Sequence, residues 1–195
     1  MDEISIRHYI WQPFKFEHLT NTELTNLIKK EIDTIMTGDI QDGDECHYGL
    51  YDLLYGLVWT EKITVDMVKL VFDENQSNTY NVEKLFVHSC SHQDDDFSIG
   101  MYLIEEHNVD IRKCCEEALF TALCCKNYNI AEKFVNFMIS NNYENVEECV
   151  TNTFKSLLED NKKLIKFYKM IQPFKDVHNI GDLLVSSLDK CIVKN

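Results

Sequence analysis

The sequence has few of the residues that interrupt regular secondary structure, with 2 prolines and 6 glycines among 195 residues. A β-sandwich or β-barrel of this length needs many tight turns, which are usually built from those two residue types. Apolar residues make up 45% of the chain, which is enough for a sizeable core and too many for a disordered chain. We therefore predict an all-α protein in which residues 1–195 form a single domain.

Long apolar runs are also missing. No stretch of about 18 apolar residues is present, so we predict no membrane-spanning helix. The opening residues, MDEISIRHYIWQ, contain acids and no apolar segment, which is not typical of a secretory signal. The eight cysteines, including those of CCEEALFTALCC, are therefore expected to be reduced and mostly to be small buried side chains. These features predict a protein of the cytoplasm or the nucleus.

The chain is short of positive charge. It has 19 Lys and Arg residues against 33 Asp and Glu residues, which gives a net charge of −14. The basic residues are scattered, whereas phosphate backbones and anionic membranes bind to clusters of them, so we predict neither partner. The negative net charge permits a protein partner with a basic surface. An equally good explanation of the charge is that the acidic residues serve only to keep the protein soluble.

Familiar catalytic motifs are absent from the sequence. It contains no GxSxG elbow, no P-loop and no GxGxxG segment. A cysteine nucleophile needs a nearby histidine, and no pattern marks such a pair among the eight cysteines and seven histidines. We therefore predict no enzymatic activity and no cofactor.

An apolar doublet recurs along the chain at a nearly constant interval. Its first members are Leu70, Leu103, Phe134 and Phe167, which are 33, 31 and 33 residues apart. Each doublet lies in a segment with apolar residues at helical spacing, and each segment follows another short segment of the same kind. A short helix pair cannot bury its own apolar face, so such pairs must stack on their neighbours.

The recurrence predicts stacked antiparallel helix pairs, about four of them, over residues 46–172. Residues 1–45 are expected to form an N-terminal helical cap. Within it, TNTELTNLIKKEIDTIM, residues 20–36, has the polar start and apolar spacing of a capped amphipathic helix. Residues 173–195 are expected to close the other end of the stack with a C-terminal capping helix.

The interval near 33 residues and the segment SIGMYLIEEHNVDI, residues 98–111, resemble the ankyrin repeat. The units lack the family's Thr-Pro-Leu-His helix start. They are rich in Ile, Asn, Lys and Cys, and in this composition they resemble the ankyrin-like proteins of poxviruses and other large DNA viruses. The resemblance implies a degenerate ankyrin-like solenoid over residues 46–172. It also implies a non-enzymatic module that sequesters a host innate-immune or signalling protein in the host cell.

A second resemblance involves two other segments. SIRHYIWQ, residues 5–12, and ALFTALCCKNYNIAEKF, residues 118–134, are similar to parts of the poxvirus Bcl-like helical-bundle immune modulators. That family implies a helical bundle that inhibits apoptosis or NF-κB signalling. This alternative does not account for the 33-residue recurrence, so we place it second.

The segment FVHSCSHQDDD, residues 86–96, has the composition of a metal site. On a helix His88 and His92 share a face, whereas Cys90 lies on nearly the opposite side. A zinc ion would therefore need further ligands from elsewhere, and no CxxC or HExxH spacing supplies them. We predict no bound metal. We predict instead that the segment is a helix ending in an acidic turn, with Asp95 or Asp96 capping a new helix at Phe97.

The ankyrin resemblance implies that partners bind to the turns and first helices of the pairs. The candidate contact residues at those positions are His47, Tyr48, Tyr80, His88, His92, Asp94, Asp95, Asp96 and Asn127. We predict that these residues form a rigid face, which acts by binding and occupying the target protein.

Overall fold

The computed structural model describes residues 19–37, 49–58, 62–74, 81–91, 97–144 and 146–156, and all regular structure in these ranges is helical. The helices are α1 (Asn21–Thr37), α2 (Leu50–Leu57), α3 (Val65–Glu74), α4 (Val82–Ser89), α5 (Ser98–His107), α6 (Ile111–Cys124), α7 (Tyr128–Ser140) and α8 (Val146–Ser156). The all-α prediction is confirmed for these ranges. The predicted capping helix at residues 173–195 lies outside them, as do residues 1–18 and 38–45 of the predicted N-terminal cap. None of these helices is long and apolar enough to cross a membrane.

The start of α1 shows why a helix forms there. Thr20 and Glu23 form a capping box: the Thr20 hydroxyl oxygen accepts a hydrogen bond from the Glu23 N–H at 3.2 Å, and the Glu23 carboxylate accepts one from the Thr20 N–H at 2.8 Å. The buried apolar side chains then recur every four residues, at Leu24, Ile28 and Ile32. The helix predicted over residues 20–36 is confirmed, shifted by one residue.

The connections after α6 and α7 are tight because each helix ends in a left-handed residue. After α6, Lys126 has a φ of 63°, and the Asn127 N–H donates back to the Ala122 carbonyl at 2.7 Å. After α7, Asn142 has a φ of 53°, and the Tyr143 N–H donates back to the Met138 carbonyl at 3.1 Å. These Schellman motifs satisfy carbonyl groups at the helix ends and turn the chain directly into the next helix.

The start of α5 differs from the sequence prediction. The N-cap position is held by Phe97, not by Asp95 or Asp96, and no side chain caps the helix there. Phe97 adopts a left-handed φ of 78° because its buried ring packs against two core rings, with centroids 6.1 Å from Phe86 and 5.8 Å from Phe134. Core packing therefore sets this helix start where we expected an acidic cap. Asp95 and Asp96 themselves lie outside the described residues.

The helices pack in two ways that repeat along the described chain. Consecutive helices pair: α2 contacts α3, α4 contacts α5, and α6 contacts α7. Most helices two apart also contact each other: α2, α4, α6 and α8 form one row, and α1, α3 and α5 form another. A single apolar cluster runs through both rows and includes the fully buried rings of Phe86 and Phe134. The first helices of successive pairs therefore lie side by side.

Candidate functional site

Two of the nine predicted contact residues lie within the described residues. His47, Tyr48, Tyr80, His92, Asp94, Asp95 and Asp96 lie outside the described residues, whereas His88 and Asn127 lie within them. These two residues occupy different surroundings. Only His88 leads to a candidate surface.

Asn127 is a structural residue of the turn between α6 and α7. Its side-chain oxygen accepts a hydrogen bond from the Ile130 N–H, which makes Asn127 the N-cap of α7. Its backbone N–H closes the end of α6 on the Ala122 carbonyl. With 6% of its surface exposed, the side chain offers a partner almost nothing to contact.

His88 belongs to a group of polar and aromatic side chains on the first helices. We call this group the first-helix patch, and it consists of Tyr51 and Tyr55 of α2 and Lys84 and His88 of α4. In each helix the two residues are four positions apart and so share a face. Lys84 is exposed, and the other three side chains are half-buried.

Ring contacts hold the first-helix patch together across α2 and α4. The His88 ring meets the Tyr55 ring edge-on, with centroids 4.4 Å apart. The Lys84 ammonium lies over the Tyr55 ring, 5.3 Å from its centroid, and the Tyr51 and Tyr55 centroids are 6.2 Å apart. Tyr55 is therefore the residue through which the other three are joined.

Burial controls the charge of this patch. Burial, helped by the nearby Lys84 ammonium, lowers the pKa of His88 from 6.5 to about 4, so the imidazole is neutral at pH 7. Burial and the neighbouring Tyr55 and Asp52 raise the pKa of Tyr51, which keeps that phenol protonated. Lys84 is then the one charged side chain among the four. The patch presents two phenol rings, a neutral imidazole and a single cation.

Acidification is expected to destabilise the protein through His88. Its pKa is lower in the folded chain than its ordinary 6.5, so the unfolded state binds more protons between about pH 4 and 6.5. The stability from neutral His88 is complete above that window and is lost as the pH falls through it. Between pH 7 and pH 5, the wild type should lose about 1 kcal/mol more stability than His88→Gln, after allowance for solvent screening. Urea denaturation at both pH values measures this; equal losses would contradict the assigned environment.

A second aromatic group, which we did not predict, joins the second helices α3 and α5. This second-helix patch consists of Lys69, Phe72, Tyr102 and His107. The His107 ring stacks on Phe72 with centroids 3.8 Å apart, and His107 Nε2 and the Tyr102 hydroxyl share a hydrogen bond of 2.9 Å. The Lys69 ammonium lies 5.2 Å from the Tyr102 ring centroid. The sequence signal was a histidine, His107, five residues after a tyrosine, Tyr102, whereas the predicted contact residues were all placed at turns and first helices.

The charges of the second-helix patch also follow from burial. Burial lowers the pKa of His107, partly opposed by the Glu106 and Asp73 carboxylates. Burial together with the same two carboxylates raises the pKa of Tyr102 to about 12. Its histidine and tyrosine are thus both neutral near pH 7 and are bonded to each other. The second-helix patch joins α3 to α5 through these contacts, with Phe72 buried, Tyr102 and His107 half-buried and Lys69 exposed.

Two of the candidate metal ligands in residues 86–96, His88 and Cys90, lie within the described ranges. His88 faces Tyr55, while Cys90 is completely buried in the apolar core. Within the ranges that the structure describes, no group of three or more His, Cys, Asp or Glu side chains is arranged to hold a metal ion. His92 lies outside those ranges.

No disulfide joins the cysteines within the described ranges, and most of these cysteines are core residues. Cys90, Cys114, Cys115 and Cys149 are buried, and Cys124 and Cys125 are half-buried. Burial raises the pKa of the Cys114 thiol to about 12, which suppresses the thiolate that a nucleophile requires. Cys114 is therefore suited to packing.

Comparison of the chain with protein-family models, with curated proteins and with solved structures finds no match in any of the three.

Proposed function

We propose that this protein is a non-enzymatic protein-binding module whose contact face includes the first-helix patch. The observation that carries the proposal is the cluster of Tyr51, Tyr55, Lys84 and His88 across two neighbouring helices. Tyrosine is enriched among the residues that dominate binding energy at protein interfaces.

The arrangement of the patch supports this role. A tyrosine ring offers a large contact area with few rotatable bonds, so it loses little entropy when a partner binds. The Tyr55 ring is already fixed by His88 on one side and Lys84 on another, which lowers that cost further. The neutral imidazole adds contact area without a charge that would have to be desolvated.

The second-helix patch is the weaker candidate for the contact face. Its hydrogen bond between His107 and Tyr102 already uses the polar atoms that a partner would address. Phe72, on which His107 stacks, has only 9% of its surface exposed. These contacts join α3 to α5. The second-helix patch therefore serves as a matched control for the first-helix patch.

We extend the proposal to the architecture, as a degenerate ankyrin-like stack of helix pairs. The support is the repeated pairing of consecutive helices together with the contacts between helices two apart. In such a stack the first helices form a continuous row, and the first-helix patch spans two members of that row. A Bcl-like bundle remains the alternative and would bind an amphipathic helix in a groove.

The partner in this proposal is a host innate-immune or signalling protein with a basic surface. The net charge of −14 supports a basic partner. Attraction between opposite charges accelerates the encounter of the two proteins, and repulsion between like charges disfavours acidic proteins. The assignment to a host protein rests on the resemblance to viral ankyrin-like proteins. The mechanism is occupancy: a preformed face of this protein covers the surface with which the target binds its other partners.

Affinity purification of the tagged protein from mammalian cells, with mass spectrometry, tests the proposal. Tyr55→Ala should reduce recovery of a stoichiometric partner, and the purified pair should bind about 10-fold to 30-fold more weakly, because the ring is the centre of the patch. Tyr55→Phe should retain most of the affinity.

Tyr102→Ala is the matched control for that experiment. It removes the same ring from a similar setting of lysine and histidine, but on the second helices. Unchanged helix content by circular dichroism must accompany each variant. Equal weakening by Tyr55→Ala and Tyr102→Ala, or full retention of the partner by Tyr55→Ala, would contradict the proposed contact face.

A further inference from the structure

The first-helix and second-helix patches each hold a lysine over a tyrosine ring. The Lys84 ammonium lies 5.3 Å from the Tyr55 ring centroid, and the Lys69 ammonium lies 5.2 Å from that of Tyr102. Both lysines are exposed, and both rings are half-buried. The two cation–π contacts are therefore nearly alike, so a difference between the patches must come from the other charges near each lysine.

Lys69 of the second-helix patch has acidic neighbours. Asp66 stands three positions before it and Asp73 four positions after it, so both share its face of α3. Burial and the Asp73 and Glu106 carboxylates raise the pKa of Tyr102 to about 12, which places these two acids near the ring that Lys69 covers. The protein's own carboxylates therefore balance the charge of Lys69.

Lys84 of the first-helix patch has no such neighbours. Three positions before it stands Asn81, the N-cap of α4, and four positions after it stands His88, which is neutral at pH 7. Within the part of the chain that the structure describes, no carboxylate forms an ion pair with the Lys84 ammonium. A chain with 33 acidic residues thus leaves this exposed cation without one of them.

The two nearest acidic residues of α2 and α4 are engaged elsewhere. Asp52 accepts a hydrogen bond from the Gly49 N–H at 3.0 Å, so its carboxylate serves the cap of its own helix. Glu83 lies near Cys114 of α6, where its carboxylate adds to the effect of burial in raising the pKa of that thiol. Lys84 therefore remains the one charge that the first-helix patch offers to a partner.

We propose that the first-helix patch binds a carboxylate side chain, an aspartate or glutamate of the partner, and that Lys84 selects it. A lysine ammonium has three N–H donors, and the ring of Tyr55 covers only one side of it, so donors remain for a carboxylate. The ring also restrains the side chain, which lowers the entropy lost when the ion pair forms. This inference rests on the proposed function, because it names the group that the same contact face recognises.

A basic partner surface and a single acidic contact act at different ranges. The net charge of −14 attracts a basic protein before contact, over a screening length of about 8–10 Å. An ion pair acts at contact, where it fixes the orientation of the two proteins. An acidic residue within that basic surface is attracted to Lys84, so the pair sets which way the partner docks.

Affinity measurements with the partner protein recovered by affinity purification test this inference. Lys84→Met keeps the length of the side chain and its packing on Tyr55 but removes the charge, so binding should weaken about 10-fold. Lys84→Arg keeps the cation over the ring and should bind within about 3-fold of the wild type. Lys69→Met is the matched control, because it removes the same contact from the second-helix patch, and it should leave the affinity unchanged.

A charge swap locates the acid on the partner. Lys84→Glu should weaken binding more than Lys84→Met, because two like charges would then face each other. The partner's surface aspartates and glutamates are replaced by lysine one at a time, and one of these variants should restore binding to Lys84→Glu. Circular dichroism must show that every variant retains its helix content.

The variants separate this inference from the proposed function. If Tyr55→Ala weakens binding and Lys84→Met does not, the first-helix patch remains the contact face and the carboxylate contact is overturned. If neither change weakens binding, both proposals are overturned. Tighter binding by Lys84→Met would also overturn the carboxylate contact, because it would place a cation of the partner beside the Tyr55 ring.

Discussion

Replacing Phe134 by alanine is expected to lower the free energy of unfolding by about 3–5 kcal/mol. The ring is completely buried, with its centroid 5.3 Å from that of Phe86 and 5.8 Å from that of Phe97. Alanine would leave a cavity where α4, α5 and α7 meet through these three rings, and fixed helices cannot collapse to fill it. Urea denaturation followed by circular dichroism measures the loss.

Phe137→Ala is the control for that prediction. Phe137 lies on the same helix, three positions further on, and is half-buried, with its ring centroid 5.9 Å from that of Tyr143. Its removal should cost about 1 kcal/mol, since less apolar surface is withdrawn from the core. If Phe137→Ala proved as costly as Phe134→Ala, the three-ring cluster would not be the centre of the core.

Replacing Gly100 by alanine is expected to destabilise the protein by about 1–3 kcal/mol, although alanine is the better helix former by about 1 kcal/mol. A Cβ atom at Gly100 would lie 2.5 Å from the Phe97 ring. That ring cannot move aside, because it is buried against Phe86 and Phe134. Thermal and urea denaturation measure the change.

A double-mutant cycle isolates the cause. Phe97→Leu removes the ring that meets the new Cβ, so Gly100→Ala introduced into that background should be neutral or stabilising. The coupling energy between the two positions should then be about 1–3 kcal/mol. An equal cost of Gly100→Ala in both backgrounds would mean that the contact with Phe97 does not explain the glycine.

The sequence was a good guide to where the helices lie. Three of the four recurring doublets fall within second helices of the described chain: the first residues, Leu70, Leu103 and Phe134, lie in α3, α5 and α7. The fourth, at Phe167, lies outside the described residues. Apolar spacing was sufficient here because burial of one face determines where a short amphipathic helix forms.

The beginning of α5 was beyond sequence reasoning. An acidic run before a helix favours an acidic N-cap, and we predicted one at Asp95 or Asp96. The structure instead places Phe97 at the N-cap in a left-handed conformation, which bulky side chains rarely adopt. Contacts with Phe86 and Phe134, which are distant in sequence, stabilise it, and local propensity contains no information about them.

The candidate site was predicted in part. We selected His88 by its position on a first helix, and it does lie beside the first helix of the preceding pair. Tyr51 and Tyr55 were not among the predicted contact residues, because the spacing within one helix does not show which neighbouring helix packs against it. Asn127 was selected as a polar turn residue, but two hydrogen bonds at the helix junction hold it in the turn.

Hydrogen–deuterium exchange of the protein, alone and bound to the partner recovered by affinity purification, tests the central claim most directly. If the first-helix patch is the contact face, the partner should slow exchange in α2 and α4, around Tyr55 and His88, and leave α3 and α5 unchanged. Slowed exchange confined to α3 and α5, or unchanged exchange in α2 and α4 despite binding, would contradict the claim.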